Sequence, residues 1–386
     1  MKKKTPKKMV SLFAGIGGFE LAFRQVGIST TLSCEIDEIA KHVLETNLPE
    51  VKLVSDIREL TSIPKDTDII CSGFPCQDVS SIGAKKCLDG DRTSLVREVF
   101  RLLENNRVEW VIFENVSYML HLKNGETIRT IVEELERLGY KWAYRTINSL
   151  AFVPQHRARV FVVASIHHNP QDVLLSGSSD IVPGVISSEY FKEPCGFYWT
   201  EGKYAIGLYQ NGIPTLKVGS SIGIPSAPAI AFPNGEISTP DIRDAERFQG
   251  FPVDWTLPAE DISKPSSRWK LVGNAVTVNT VAWIANKIIS PTHYDTSRDL
   301  LLTPKDKWPT AAWGEAGTRW KSAANQFPVS RQEISLSEFL MFPRKPLSLK
   351  AARGFASRLN QGTVRVPQFF KDAINQYIEQ KTIENV

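Results

Sequence analysis

Cysteine is scarce in this sequence: only five occur among 386 residues, and no two of them form a Cys-x-x-Cys pair. Their number and scatter argue against a disulfide framework, and the absence of a Cys-x-x-Cys pair argues against a structural zinc site. The sequence therefore predicts a reducing compartment and no metal centre.

Long apolar runs are also absent. No stretch approaches the roughly 18 uncharged apolar residues that span a membrane, so we expect no membrane association. The lysine-rich start MKKKTPKK and the apolar residues after it follow the order of a signal peptide, but Glu20 interrupts the apolar run. We expect a strand and a glycine turn there instead.

Charge is nearly balanced, at +4 overall, but it is unevenly placed. Five lysines occur in the first eight residues, and residues 291–386 contain 14 Lys/Arg against 9 Asp/Glu. Basic ends favour an anionic partner.

Between residues 9 and 165, short β-rich runs alternate with helical patterns such as SLVREVFRLLENN. This alternation predicts an α/β fold with a mostly parallel sheet and helices on both faces. Residues 167–266, rich in Gly, Ser and Pro at first, predict a smaller loop-rich domain. Residues 267–290 resume the α/β pattern and should close the first domain, 9–166. Residues 291–386 form a third region, with helices expected at LKAARGFASRLN and FFKDAINQYIE.

The segment MVSLFAGIGGFELAF predicts a strand, a glycine turn and a helix, and Glu35 follows Gly15 by 20 residues. Glycines let a backbone approach a ligand, and a carboxylate at the next strand end can accept from ribose hydroxyls. Asp56 at a third strand end supports this interpretation over a plain tight turn. The spacing is not GxGxxG and no phosphate-binding lysine follows, so a nucleoside without a pyrophosphate is favoured.

Cys76 lies in GFPCQDVSSIG, directly after an apolar run and a proline. A free cysteine is most often a small buried hydrophobe, which is our interpretation of Cys34 and Cys71. Pro75 should turn the Cys76 thiol towards the ligand edge of the sheet instead. A thiol held there could act as a nucleophile.

Two further patterns place polar groups at strand ends. In VIFENV, Glu114 follows buried positions, so it should either be paired with a cation or hold its proton. In QHRARVFVV, alternation predicts that Gln155, Arg157 and Arg159 lie on one face of a strand. The arginines could pair with Glu114 or donate to a substrate.

From residue 9 to about 285 the chain resembles the cytosine-5 DNA methyltransferases of bacterial modification systems. Nine segments carry the resemblance in one order: FAGIGGFELAF, Glu35, SDI, GFPCQDVSSIG, DGDRTSLVREVFRLLE, FENV, QHRARVFVV, DAERFQGFPVDW and GNAVTV. The sequence departs from the family pattern at Val79, where an aromatic is usual, and at Asp244, where glutamate is commoner.

The resemblance implies an S-adenosylmethionine pocket and a target-recognition domain in the loop-rich region. The residues implied for the pocket are Phe13, Gly15, Ile16, Gly17, Gly18, Glu35, Asp56, Ile57, Pro75, Asn274 and Val276. It also implies attack of Cys76 on cytosine C6, with Glu114 holding or protonating N3 and the exocyclic amine. Arg157 and Arg159 are implied to hold O2 and neighbouring backbone.

Such chemistry requires a base flipped out of double-stranded DNA. The residues expected to contact the DNA are Gln77, Ser80, Ser81, Lys85, Lys86, Arg92 and Gln249. We expect a monomer on DNA in the bacterial cytosol or nucleoid, with a cognate restriction endonuclease as a possible companion. The alternatives are a tRNA cytosine-5 methyltransferase, although its CFT tripeptide is absent, and a catalytically silent DNA-binding homologue.

Trp308, Trp313 and Trp320 alternate with basic residues near the C-terminus. Aromatic side chains among cations can stack on nucleic acid, but tryptophans in a small unit more often form its core. We favour the core interpretation.

Overall fold

The computed structural model describes residues 6–75, 95–179, 192–219, 227–330 and 334–384. The chain forms two compact units. The first unit comprises Met1–Asn148, Ala158–Asp180 and Val276–Ser330; the second comprises Ser149–Arg157, Ile181–Ala275 and Arg331–Val386.

The strands, in chain order, are β1 (Lys8–Leu12), β2 (Ser29–Cys34), β3 (Lys52–Val54), β4 (Ile69–Ser72), β5 (Trp110–Val116), β6 (Lys141–Asn148), β7 (Gln155–His156), β8 (Ala158–Ser165), β9 (Cys195–Phe197), β10 (Tyr209–Gln210), β11 (Ile213–Pro214), β12 (Ala229–Ala231), β13 (Ile237–Thr239), β14 (Leu300–Leu301), β15 (Ala311–Glu315), β16 (Thr318–Lys321) and β17 (Lys345–Pro346). The helices are α1 (Gly18–Arg24), α2 (Glu38–Asn47), α3 (Leu95–Asn105), α4 (Glu126–Arg137), α5 (Pro170–Leu174), α6 (Ile242–Phe248), α7 (Ala259–Ile262), α8 (Ser267–Asn274), α9 (Val278–Ile289), α10 (Leu336–Phe339), α11 (Leu349–Gln361) and α12 (Gln368–Ile383).

The first unit is built on a ten-stranded sheet in the order β14-β16-β15-β6-β8-β5-β4-β1-β2-β3. The strands from β5 to β3 in that order pair in parallel, whereas β8, β6, β15, β16 and β14 continue the sheet by antiparallel pairing. The α/β class predicted from the sequence is confirmed, and the sheet is mixed.

Side-chain alternation determines how the helices cover this sheet. Val10 and Leu12 point to one face of β1 and share a core with buried residues of α3 and α4, such as Val99 and Ile131. On α4 the apolar residues repeat at helical spacing, and the chain leaves the helix at Gly139, whose φ is 84°. Helix α1 packs against β2 and α9.

The second unit contains a five-stranded antiparallel sheet in the order β10-β9-β12-β13-β17. Helices α11 and α12, both predicted from the sequence, pack on it around Phe197, Phe355 and Phe370. A second core joins α6 and α8 through Phe248 and Val272.

The C-terminal region does not form one separate body, in contrast to the predicted boundaries. Residues 291–330 extend the sheet of the first unit through β15, which pairs with β6, and residues 334–384 complete the second unit. Trp308 is buried against Trp142 and Tyr144, and the rings of Trp313 and Trp320 stack at 4.1 Å. These tryptophans therefore pack within the first unit, as the core interpretation predicts.

Candidate functional site

The candidate site lies at the carboxyl ends of the parallel strands, which meet at one edge of the sheet. Backbone hydrogen bonds join the segments leaving these strands: Ala14 N donates to Cys34 O at 2.9 Å and Glu35 N donates to Val54 O at 3.0 Å. Ligands of open α/β sheets bind at this edge.

The glycine turn after β1 has a backbone that few residue types adopt. Gly15 and Gly17 have φ values of 58° and 89°, which glycine reaches without steric cost, and Phe13 adopts a φ of 57°. An added Cβ at Gly15 would meet no atom within 4 Å, so conformation rather than space selects glycine there. The turn leads directly into α1.

Glu35 holds this turn. One carboxylate oxygen accepts from Gly15 N at 2.7 Å, and the other accepts from Ile36 N at 2.9 Å and Asp37 N at 2.8 Å. A carboxylate has about four acceptor positions, and three of them are used by these donors from the described part of the chain. The predicted ligand-binding carboxylate and the glycine turn are therefore in direct contact.

The other residues predicted for the pocket differ in accessibility. Ile16 and Ile57 are buried, and Asp56 is partly buried. Hydrogen bonds from the Arg58 side chain and backbone hold the pKa of Asp56 below its usual value. Pro75 is exposed.

Asn274 and Val276 fall into different units. Asn274 is an exposed residue at the end of α8 in the second unit, and Val276 is a buried residue just before α9 in the first.

Glu114 is paired, which is one of the two states predicted for it. Its Oε1 lies 3.2 Å from Nε of Arg159, and both side chains are largely shielded from solvent. The antiparallel register places Arg159 of β8 opposite Val116 of β5, near the end of the strand that carries Glu114. Gly73 lies beside this pair, since a Cβ added there would be 3.6 Å from Glu114 Oε2.

Asn115, which the VIFENV pattern places beside Glu114 at the strand end, was given no role by the sequence prediction. It is buried; its Nδ2 donates to Phe74 O at 3.0 Å, and its Oδ1 accepts from Val116 N at 2.8 Å. It thereby ties the end of β5 to the backbone two residues before Cys76. Its position beside Glu114 in FENV was the available signal.

Glu20 is a second residue that the prediction did not select. This α1 carboxyl is buried, accepts from Ser33 Oγ at 2.6 Å, and has its pKa raised by burial. It supports the helix that follows the glycine turn. In the sequence, the interruption of an apolar run by Glu20 was the feature that could have indicated this role.

The prediction that Arg157 holds the cytosine needs correction. Arg157 is only 2% exposed, and its guanidinium donates to three carbonyls of the second unit: Leu216 O, Gly273 O and Ala275 O, the last at 2.7 Å. The expected single strand is also interrupted at this residue, because β7 ends at His156 and β8 begins at Ala158. Arg157 therefore braces loops of the second unit.

Gln249 is likewise not exposed to DNA. It has no solvent-accessible surface, its Nε2 donates to Val272 O at 3.0 Å, and its Oε1 accepts from Gln155 Nε2 at 3.3 Å. Gln155 also donates to Phe248 O at 2.8 Å. Both glutamines consequently belong to the interior of the second unit, and the predicted DNA contact of Gln249 is wrong for this structure.

The remaining predicted site residues lie outside the described residues. These are Cys76, Gln77, Ser80, Ser81, Lys85, Lys86 and Arg92, together with Val79. Over the described part of the chain, no group of His, Cys, Asp and Glu side chains could hold a metal ion. Among those same residues, none of the helices combines the length and apolar character needed to cross a bilayer.

Comparison with known proteins shows the family to which this chain is similar. A family model described as C-5 cytosine-specific DNA methylase matches residues 7–195. The Type II methyltransferase M2.BsuMI of Bacillus subtilis (strain 168) is 42% identical over 366 residues, which cover 91% of this chain and 92% of that protein. The chain belongs to the C-5 cytosine-specific DNA methylase family. The predicted resemblance and the predicted enzyme class, a DNA cytosine-5 methyltransferase, are confirmed.

More distant family members show the same relationship. Type II methyltransferase M.Bsp6I of Bacillus sp. (strain RFL6) is 29% identical over 73% of this chain and 98% of its own length. M.MspI of Moraxella sp is 30% identical over 73% of this chain and 70% of its own. Among solved structures, a DNMT2 of Spodoptera frugiperda covers 73% of this chain and 99% of its own, with a TM-score of 0.53 at 15% identity. That likeness supports the methylase fold.

Proposed function

We propose that this methylase transfers a methyl group from S-adenosylmethionine to C5 of a cytosine within a specific sequence of double-stranded DNA. The observation that carries the proposal is the common sheet edge where Glu35 holds the glycine turn and Arg159 pairs with Glu114. Pro75, the residue before Cys76, follows β4 at the same edge.

The glycine turn and Glu35 suit the nucleoside part of the cofactor. The φ values of Gly15 and Gly17 keep the backbone of the turn free of side chains, and the Glu35 carboxylate can accept from a ribose hydroxyl. When bound, S-adenosylmethionine supplies an electrophilic methyl group. Asp56, whose pKa is lowered by hydrogen bonds from Arg58, provides a second carboxylate at this edge.

Cytosine C5 is too weak a nucleophile to take that methyl group unaided. In the proposed mechanism the Cys76 thiolate adds to C6, and the electron pair of the C5–C6 bond moves to C5. Glu114 in its acid form donates its proton to N3 while charge develops there, and its other oxygen accepts from the exocyclic amine. Arg159 keeps the carboxyl group in place. C5 then takes the methyl group as the methyl–sulfonium bond breaks, which leaves S-adenosylhomocysteine. Loss of the C5 proton to a base expels the Cys76 thiolate by β-elimination, and N3 returns its proton.

The second unit is proposed to read the DNA, with the first unit carrying out the chemistry on a flipped base. Arg157 and Gln155 act there as structural residues, because their side chains bond to the backbone of the unit itself. The relatives named Type II methyltransferases support a role in protecting DNA from a cognate endonuclease.

Transfer of labelled methyl from S-adenosylmethionine to mixed-sequence duplex DNA and to tRNA tests this proposal. We expect label in DNA with the wild type and with Cys87→Ala, the matched cysteine control, but not with Cys76→Ala. Sequencing of 5-methylcytosine then gives the recognition site. Label in tRNA alone would establish the alternative substrate, and DNA binding without transfer would indicate a silent homologue.

A further inference from the structure

Residues 343–371 contain seven Lys/Arg and no Asp/Glu, whereas the whole chain contains 46 and 42. The nine segments that carry the family resemblance end near residue 285, so this segment follows them in the chain. It begins just before β17, includes all of α11 and ends in the first turn of α12, so it belongs to the second unit.

Two of the seven cations serve the unit itself. Arg344 pairs with Glu236 at 2.9 Å. Arg358 donates to Trp199 O at 2.6 Å and to Glu201 O at 3.0 Å, so its guanidinium anchors α11 to the loop after β9. The remaining five are Lys345, Lys350, Arg353, Arg365 and Lys371.

The faces of α11 separate apolar from basic residues. Ala352, Phe355 and Leu359 are buried against the five-stranded sheet. The exposed positions of the helix are Lys350, Arg353, Ser357, Asn360 and Gln361. They combine cations with neutral hydrogen-bonding groups and include no carboxylate.

The exposed cations continue on both sides of α11. Lys345 is exposed on β17 and Arg365 is exposed in the connection to α12. The carboxylates of α12 are Asp372 and Glu379, and Glu384, which directly follows the helix, pairs with Lys381. Arg353, which donates to Thr382 Oγ1 at 3.0 Å, is held in place by a neutral hydroxyl rather than by a carboxylate.

We propose that Lys345, Lys350, Arg353 and Arg365 form a surface that contacts the phosphate backbone of DNA without reading its sequence. Most protein–DNA hydrogen bonds go to phosphate and sugar, from Arg, Lys and neutral polar side chains of the kind that α11 exposes. The inference rests on the proposed function, since it gives the DNA-reading unit a second, sequence-independent hold on its substrate.

The test is the salt dependence of binding to a fluorescent 30-base-pair duplex of mixed sequence, measured by anisotropy between 50 and 200 mM KCl. Each phosphate contact contributes about 0.9 to the slope of log K against log salt, so Lys350→Ala/Arg353→Ala/Arg365→Ala should lower that slope by roughly 2 to 3. The matched control, Lys52→Ala/Lys65→Ala/Arg129→Ala, removes the same charge from exposed positions of the first unit and should leave the slope unchanged.

An unchanged slope in a triple variant that melts at the wild-type temperature would overturn the inference, as would an equal fall in the control. If the triple variant fails to fold, Lys350→Glu alone should still lower the slope by about 1. Methyl transfer by the wild type is measured in parallel. Its absence refutes the proposed function, whereas transfer with an unchanged slope refutes only the phosphate surface.

Discussion

Replacing Asn115 should uncouple the chemistry of this methylase from substrate binding. The Asn115 amide is the side chain that ties β5 to Phe74 O, two residues before Cys76. Asn115→Ala removes both of its hydrogen bonds, and Asn115→Asp removes the donor to Phe74 while leaving an acceptor for Val116 N.

The structure sets the size of the effect. Asn115→Ala takes these hydrogen bonds from two backbone groups, Phe74 O and Val116 N. Leaving a buried polar group unpaired costs about 1–3 kcal/mol, so this variant should lower the free energy of unfolding by about 2–4 kcal/mol. A misplacement of about 1 Å near reacting groups can cost about 100-fold in rate. We therefore expect kcat to fall roughly 30- to 100-fold in both variants, because both lose the donor to Phe74 O.

Steady-state methyl transfer to duplex DNA measures this, with KM determined separately for S-adenosylmethionine and for DNA. Positioning of the segment before Cys76 predicts a fall in kcat with KM for the cofactor unchanged. Asn106→Ala is the matched control, because Asn106 makes the same kind of bond, to Leu102 O at 2.9 Å, after α3. If kcat of Asn115→Ala equals that of the control, Asn115 is only structural.

Three further predictions concern the first unit. Arg145→Met should lower the free energy of unfolding, measured by urea denaturation, by about 3–5 kcal/mol, because the carbonyls of Leu174, Gly177 and Asn325 lose their buried donor. A loss under about 1 kcal/mol would contradict this prediction. Burial raises the pKa of Glu20 above its usual 4.5, so the native state binds more protons than the unfolded state above pH 4.5 and loses stability as pH rises. Glu20→Gln should therefore gain stability relative to the wild type between pH 4.5 and 8, at about 1.4 kcal/mol per unit of pKa shift, and parallel pH profiles would contradict it. Glu114→Gln should lower kcat by about 100-fold or more with DNA affinity retained in a filter-binding assay, and unchanged turnover would remove Glu114 from the mechanism.

The sequence predicts the parallel half of the sheet well because short β-rich runs there alternate with helical patterns or polar turns. For the same reason Glu35 and Glu114 could be placed at one edge before the structure was known: strands that run in parallel bring their carboxyl ends together. The helices α11 and α12 were also predicted, at LKAARGFASRLN and FFKDAINQYIE.

What the sequence could not show depends on long-range pairing. The extension of the sheet by β15 beside β6 joins residues more than 150 positions apart, and no local pattern encodes it. The alternation of Arg157 and Arg159 suggested equal roles, but a strand break after His156 sends Arg157 to carbonyls of the second unit and leaves Arg159 with Glu114. The sequence could not assign a role to Asn115, because a buried amide that bonds to backbone has no sequence pattern of its own. The adjacent Glu114 was the available indication.

The proposed mechanism requires a covalent bond between Cys76 and C6 of the target cytosine, and duplex DNA carrying 5-fluorocytosine at the methylated position should trap that bond. Fluorine replaces the C5 hydrogen whose removal as a proton drives β-elimination. Elimination is therefore blocked, and the adduct should persist after methyl transfer. We predict a complex stable on a denaturing gel that requires S-adenosylmethionine, maps by peptide mass to Cys76 and is absent with Cys76→Ala. An adduct at another residue, or 5-methylcytosine formed by Cys76→Ala at the wild-type rate, would contradict the account.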